Sequence, residues 1–445
     1  AIQEKRIMST QPYSELPTNN KEEEQKQSDK RSKLIYITIF TIVLFALEVF
    51  VRDPYTNLSE AIQEKLNFPY KCEIGDAFVY FKYKGKSLIF LLLFNISNIF
   101  VSLSLIILDS FGIFINGSLK LIYLSPRPFW VNKKLTPCTC ATNYGSPSTT
   151  GLDVYLVCIV VYRALINRSN KKSWKVLVWI FFLGPQTLAW VSRFIQNLHS
   201  LHQLTFGTLT GYVIQYVYFE ILEIDMENSS QLKKLVTNAN LILTTLLTFV
   251  AWLFFNAIHY YLVHVKENKE MNELIGQYCS TTIQYFWLDN ESYQKTAKSF
   301  LFMGALIGVL LEYNLVFGGD YEKYEKYNMG DERWTETDKY RTVLRMISMH
   351  AIGVVILHIP KWGSKKHDDV FSLNFSKLIV ANTVKGIFYF YFIKSVFRWL
   401  TISNESSGVI PTCNVFCEED KLKDDNDAKQ KLLDGHPTEG AAQKK

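Results

Sequence analysis

Cysteine is scarce: the 445 residues hold seven, at positions 72, 138, 140, 158, 279, 413 and 417. The closest pair, Cys138-Thr139-Cys140, has no further ligand at a spacing that structural zinc needs, so no metal site is expected. No secretory signal peptide is expected either. The first apolar run starts at Leu34, behind a charged segment, and is long enough to be an anchor. The net charge of +6 is spread over loops and tails without a basic, aromatic-lined patch, which excludes nucleic acid as a partner. Polar residues within the apolar runs are few and no broken-helix pair occurs, which argues against a transporter. The only internal repetition is Ala-Ile-Gln-Glu-Lys at 1–5 and 61–65, too short to mark a repeat architecture.

Long apolar runs, by contrast, are abundant. The chain is 48% hydrophobic and 15% aromatic, and its mean hydropathy is only +0.03 because polar tails and loops dilute the apolar stretches. Runs long enough to cross a hydrocarbon core of about 30 Å fall near 34–51, 98–124, 149–166, 175–192, 203–222, 240–264, 297–317, 343–359 and 378–399. They predict an all-α, polytopic integral membrane protein with nine transmembrane helices, in contact with membrane lipid. The count rises to ten if the apolar residues 87–124 divide at Asp109-Ser110-Phe111-Gly112. As one helix that region would rise about 57 Å, well beyond one bilayer.

The polar ends, 1–33 and 401–445, are too poor in apolar residues to bury a core and are read as disordered tails. Between them the chain divides into a first helix and loop (34–86), a central core (87–225) and a set of C-terminal helices (226–400). Orientation follows from Arg163, Arg168, Lys171, Lys172 and Lys175, the densest basic loop between firm spans and therefore cytoplasmic. Counting helices from that loop puts the C-terminal tail in the cytoplasm and puts Arg127, Ser148 and Arg193 together on the opposite face. Cys138, Cys140 and Cys279 fall on that same face, so a disulfide among them is expected where the compartment oxidises thiols. Asn-x-Ser sequons stand on both sides, and only Asn290 is placed to carry a glycan.

The chemistry concentrates in three blocks: Lys120-x6-Arg127-Pro128, then Gly145-Ser146-Pro147-Ser148, then Ser192-Arg193 with His199 and His202-Gln203 beyond it. Taken singly these residues have plain readings. Lys120 can snorkel from a helix end, Arg127-Pro128 can terminate a helix, and His202 can begin one. As an ordered set on one membrane face they form a pocket for one phosphate. Arginine matches phosphate oxygens with a planar fork of donors, lysine adds a point charge, and a facing histidine can attack phosphorus.

These blocks resemble the signature of the type 2 phosphatidic acid phosphatase superfamily, and within it glucose-6-phosphatase. Arg127-Pro128-Phe129-Trp130, Gly145-Ser146-Pro147-Ser148 and His199-Ser200-Leu201-His202-Gln203 each have a counterpart there. The helices at 299–314, 340–360 and 376–399, with Lys385 in the last, are similar in order to that family's closing helices. The resemblance implies a PAP2-like helical core that needs no cofactor. It makes His199 the nucleophile of a phosphohistidine mechanism and Lys120, Arg127, Ser148 and Arg193 the phosphate-binding set. The substrate is then a phosphorylated small molecule, either a sugar phosphate or a lipid phosphate, and the endoplasmic reticulum is the expected membrane. One position departs: where the family has the general-acid histidine of Pro-Ser-Gly-His, this chain reads Thr149-Thr150.

Two functional readings follow. One is a membrane phosphatase that is impaired by loss of that acid, since a threonine hydroxyl does not release a proton near neutral pH. The other is a catalytically inactive relative that binds a phosphate ligand or serves as a structural subunit beside other membrane proteins.

Overall fold

Helix α1 runs from Asn19 to Lys65 without interruption, 47 residues that rise about 70 Å. The apolar stretch from Leu34 therefore accounts for only part of it. Residues 19–33, read from composition as tail, extend the helix instead, because Glu, Gln and Lys are strong helix formers. At the other end the helix continues through Pro54 and carries residues 52–65 beyond the apolar stretch.

The structure is a computed structural model that describes residues 19–66, 68–77, 89, 93, 99–139, 141, 143–166, 171–226, 228–237, 300–329, 347 and 371–395. Among these residues every regular element is a helix. Four are long and apolar enough to cross a membrane, at Glu24–Lys65, Ile99–Lys120, Thr149–Ile166 and Lys172–Ile195, and Phe300–Val316 is a shorter apolar helix. The spans expected at 240–264 and, but for residue 347, at 343–359, together with Cys140, Cys279, Asn290 and the tail 401–445, lie outside the described residues.

The first of two units holds α1 and most of α2 (Ile99–Tyr123), then α3 (Pro128–Val131), α4 (Thr149–Ile166), α5 (Lys172–Ile195) and α6 (Leu201–Tyr216). Helix α2 passes through Asp109-Ser110-Phe111-Gly112 without a break, so 87–124 is not divided there. It ends where Leu124 takes a positive φ of 47°, just before Pro126 and Pro128 remove backbone donors. Pro128 then opens α3, where a missing N–H costs nothing.

Close packing of α4 against α6 depends on glycine. A Cβ at Gly207 would sit 2.3 Å from the Ser148 carbonyl oxygen, and one at Gly151 2.8 Å from that of Leu204. The polar groups at this contact are stapled by Gln186 of α5, whose Nε2 donates to Thr208 Oγ1 at 2.6 Å and to the Gly151 carbonyl at 3.2 Å.

Helix α1 is antiparallel to α6. At one end Lys33 pairs with Glu220 at 3.4 Å and Lys26 with Glu223 at 3.6 Å, while Arg163 at the end of α4 reaches the same Glu220 at 2.6 Å. At the other end the Leu201 N–H donates to Ser59 Oγ at 3.1 Å, and Gln63 Nε2 donates to the carbonyls of Phe194 (2.9 Å) and His199 (3.0 Å). Helix α2 runs the same way as α1, from Ser104, which receives the Tyr218 hydroxyl at 2.9 Å, to Lys120 beside the motif loops.

The chain beyond α1 is pinned to those loops by a disulfide between Cys72 and Cys138. The partner of Cys138 is thus Cys72, outside the expected set of three. The long extension of α1 is what brings residues 68–77 to this face.

The second unit includes α7 (Ser229–Thr237) from Leu232 onward, α8 (Phe300–Val316), α9 (Tyr321–Met329) and α10 (Phe371–Ile387). Here α8 and α10 meet backbone to backbone: a Cβ on Gly304 would lie 2.0 Å from the Thr383 carbonyl oxygen, and one on Gly386 2.3 Å from the Ala305 nitrogen. Past α10, Lys394 bonds the fully buried Glu312 at 3.0 Å and also Asn328.

Candidate active site

The spacing from Arg193 to His199 is the footprint of one helix terminus. Asn197 adopts a positive φ of 59°, the Leu198 N–H returns to the Arg193 carbonyl at 3.2 Å and the Asn197 N–H to that of Phe194 at 3.1 Å. This is a Schellman turn with asparagine in the left-handed position. It reverses the chain so that Ser200 caps α6, with Gln203 completing a capping box. Arg193 and His199 are thereby held at the ends of two successive helices.

Beneath them Phe129, Trp130, Leu135, Tyr144 and Leu198 form a small buried core. It is the packing reason for the Arg-Pro-Phe-Trp block: Phe129 and Trp130 are fully buried and stand edge-to-face, 6.1 Å apart. Arg127, buried just before them, spreads its fork across the loops. Its Nε donates to the Asn143 carbonyl (2.7 Å), Nη1 to the Leu198 carbonyl (2.7 Å), and Nη2 to the Asn143 side chain. The same Nη1 lies 3.4 Å from His199 Nε2. Lys120, also buried, reaches the carbonyls of Tyr144 and Gly145.

Arg193 donates through Nε to Thr150 Oγ1 at 3.2 Å and through Nη1 to Gln196 Oε1 at 3.2 Å. Gln196 in turn donates to Asp76 at 2.9 Å, so the disulfide-tied segment borders this arginine. Thr149 donates to Asn116 Oδ1 at 2.7 Å, and Asn116 holds the Pro147 carbonyl at 3.0 Å. The Ser148 hydroxyl accepts the Gly151 N–H at 3.4 Å and caps α4, while the Ser148 N–H donates to the Gln203 carbonyl at 2.9 Å. Lys120, Arg127, Ser148, Thr150, Arg193 and His199 are thus brought to one end of the first unit. His202 is the exception. Its Nδ1 meets Ser200 Oγ at 2.9 Å and Thr56 Oγ1 at 3.5 Å, on the side of α1.

Gln203 decides which nitrogen of His199 is available. Its Nε2 donates to the Pro126 carbonyl at 2.7 Å, which turns Oε1 toward the Ser200 N–H (3.4 Å) and His199 Nδ1 (3.3 Å). An acceptor at Nδ1 keeps the proton there and leaves the lone pair on Nε2, the nitrogen nearest Arg127. Burial, then the charges of Arg127, Lys120 and Arg193, hold the His199 imidazole neutral by pushing its pKa well below the usual histidine value. A neutral imidazole carries a lone pair, and here three cations stand near enough to hold an anion beside it.

That depression has a consequence for stability. Below about pH 6.5 the unfolded chain takes up a proton that folded His199 refuses, so its contribution is whole above that pH and is lost as pH falls. Thermal unfolding of His199→Gln in detergent should show an acid-side slope shallower by up to about 1.4 kcal/mol per pH unit. Identical slopes in variant and parent would rule out a buried neutral His199.

Sequence reasoning did not find Asn143, Asn116, Gln63 or Glu48. The role of Gln203 had a visible signal, since Ser200-x-x-Gln203 ahead of an apolar run is a capping-box pattern. The others are linked to the site only through long-range contacts.

Comparison with known proteins adds one finding. Residues 88–226 match the family model described as PAP2 superfamily, a stretch that contains all six clustered residues and ends short of the C-terminal helices. No curated protein and no solved structure matches the chain. The match points to phosphatase-type chemistry on a phosphorylated substrate.

Proposed function

We propose that the protein is a membrane phosphatase of the glucose-6-phosphatase kind, hydrolysing a phosphate monoester through a phosphohistidine on His199 and impaired by the loss of its general acid. The observation that carries this reading is the set of three cations around His199, whose Nε2 holds the lone pair beside Arg127. In the mechanism, Nε2 attacks phosphorus as the ester P–O bond breaks, the departing alkoxide takes its proton from solvent for want of a general acid, and Lys120, Arg127 and Arg193 take the equatorial oxygens in place of their present carbonyl and hydroxyl partners. The N–H groups at the start of α4 and the Ser148 hydroxyl add donors. Water then releases phosphate from the histidine.

A second reading, an inactive phosphate binder or structural subunit, is favoured by Thr150. It stands at the acid's place and its hydroxyl is engaged by Arg193. For topology, Lys26 and Lys33 share an end with Arg163, so α1 starts on the side of the basic loop. With that loop cytoplasmic, the start of α1 is cytoplasmic and the site faces the lumen; the endoplasmic reticulum as the membrane is what the family resemblance implies.

Orthovanadate, which imitates the five-coordinate transition state, tests the pocket under either reading. Binding read by thermal shift should weaken at least about tenfold in Arg193→Ala and little in Thr187→Ala, an exposed α5 threonine whose hydroxyl bonds only the Leu183 carbonyl of its own helix. A parent protein with no shift, or equal loss in both variants, would refute it.

A further inference from the structure

Helix α1 lies wholly outside residues 88–226, yet it touches the segments that carry the motifs. Its polar residues 48, 52, 56, 59 and 63 recur at three- and four-residue intervals and so share one face. Along that face Glu48 accepts the Ser146 hydroxyl, Thr56 approaches His202, Ser59 receives the Leu201 N–H, and Gln63 holds the carbonyls of Phe194 and His199. Glu48 stands out among them. It is the only charged residue in the apolar stretch 34–51, it is 5% exposed, and its Oε1 is 3.7 Å from His202 Nε2. Among the described residues that imidazole nitrogen is buried and meets no hydrogen-bond partner. A buried carboxylate in a membrane helix is costly unless its partners need it.

We infer that α1 completes the phosphate site, and that Glu48 is a positioning residue bridging the 145–148 turn to the first turn of α6. The inference rests on the phosphate-pocket reading above. Ser146 is one residue from Gly145, whose carbonyl faces Lys120, and two from Ser148, which caps α4. His202 is three residues from His199. Fixing both from outside sets the distance between the turn that receives phosphate and the imidazole that attacks it. Glu48 does not touch the reacting atoms. It acts through the Ser146 hydroxyl and the α6 terminus.

The test is orthovanadate affinity, with aryl phosphate hydrolysis resolved into KM and kcat, in Glu48→Ala, Glu48→Gln and Ser146→Ala. Glu48→Ala and Ser146→Ala should each weaken orthovanadate about tenfold to a hundredfold, the size of a charge-assisted hydrogen bond. Their double variant should be no worse than either, because one link is being cut twice. Glu48→Gln keeps an acceptor for Ser146 and should stay within about threefold of the parent. A residue that only packs α1 would lower Tm in Glu48→Ala without moving the orthovanadate affinity of the folded protein, and that result overturns the proposal. If Glu48→Ala does not fold, Ser146→Ala carries the test, and parent-like affinity there overturns it equally. A parent that binds no orthovanadate sinks the pocket itself, whereas binding retained in every variant sinks only the role of α1.

Discussion

Thr149→Gly combined with Thr150→His should raise hydrolysis of glucose 6-phosphate by about 10²–10⁴-fold, the contribution of a positioned general acid to a poor leaving group. A sugar alkoxide cannot depart unprotonated, and the Thr150 hydroxyl, engaged by Arg193 Nε at 3.2 Å, is no proton source near neutral pH. An aryl phosphate, whose phenolate leaves without a proton, should gain far less from the same change. Adding His199→Ala should abolish both activities. Thr149→Gly also removes a β-branched side chain and frees Asn116 from the bond that Thr149 now makes at 2.7 Å. The idea fails if the restored protein is as slow as the parent. It fails equally if the parent already cleaves glucose 6-phosphate at an ordinary enzymatic rate. His202 is then a poor substitute acid, since its bonds run to Ser200 and Thr56.

Arg127→Lys should be nearly as damaging as deletion of the side chain, although charge is kept. One planar fork now serves the Asn143 carbonyl, the Asn143 side chain, the Leu198 carbonyl and His199, and a single ammonium on a flexible stem cannot reproduce that geometry. Two carbonyls would lose their donor, at about 1–3 kcal/mol each where they are buried. Orthovanadate affinity should drop about a hundredfold, because the phosphate loses a bidentate partner and the two loops lose their tie. A lysine variant with parent-like Tm and affinity would show that the fork is not what organises the site.

Much of the fold was readable from local pattern. Apolar runs placed α2, α4 and α5 within a few residues of their observed bounds, since a helix that must bury its backbone in hydrocarbon is defined by run length and composition alone. The ends of α1 were misjudged because propensity and tertiary contact, not hydropathy, govern residues 19–33 and 52–65. Within the site, the cations and His199 were visible as residue types at telling intervals. Their hydrogen-bond partners were not, because Asn143, Gln203, Gln63 and Glu48 are ordinary polar residues until the fold brings them beside a motif.

By itself, then, the amino-acid order indicated apolar helices long enough to cross a membrane and three blocks of residues of phosphate-binding type, with Thr149-Thr150 following the second. Each of these depends on local composition or short spacing. Only the tertiary structure decided which nitrogen of His199 faces the cations, that Cys138 pairs with Cys72, and that an N-terminal helix outside the matched region lies against the motif loops. The His199 orientation rests on Gln203, four positions away, aimed by its bond to the Pro126 carbonyl; the other two are contacts between residues 66 and 136 positions apart, Cys72 with Cys138 and Gln63 with His199, and no local pattern encodes them. They arise because α1 is long enough to leave the apolar layer and lie against the loops beyond it.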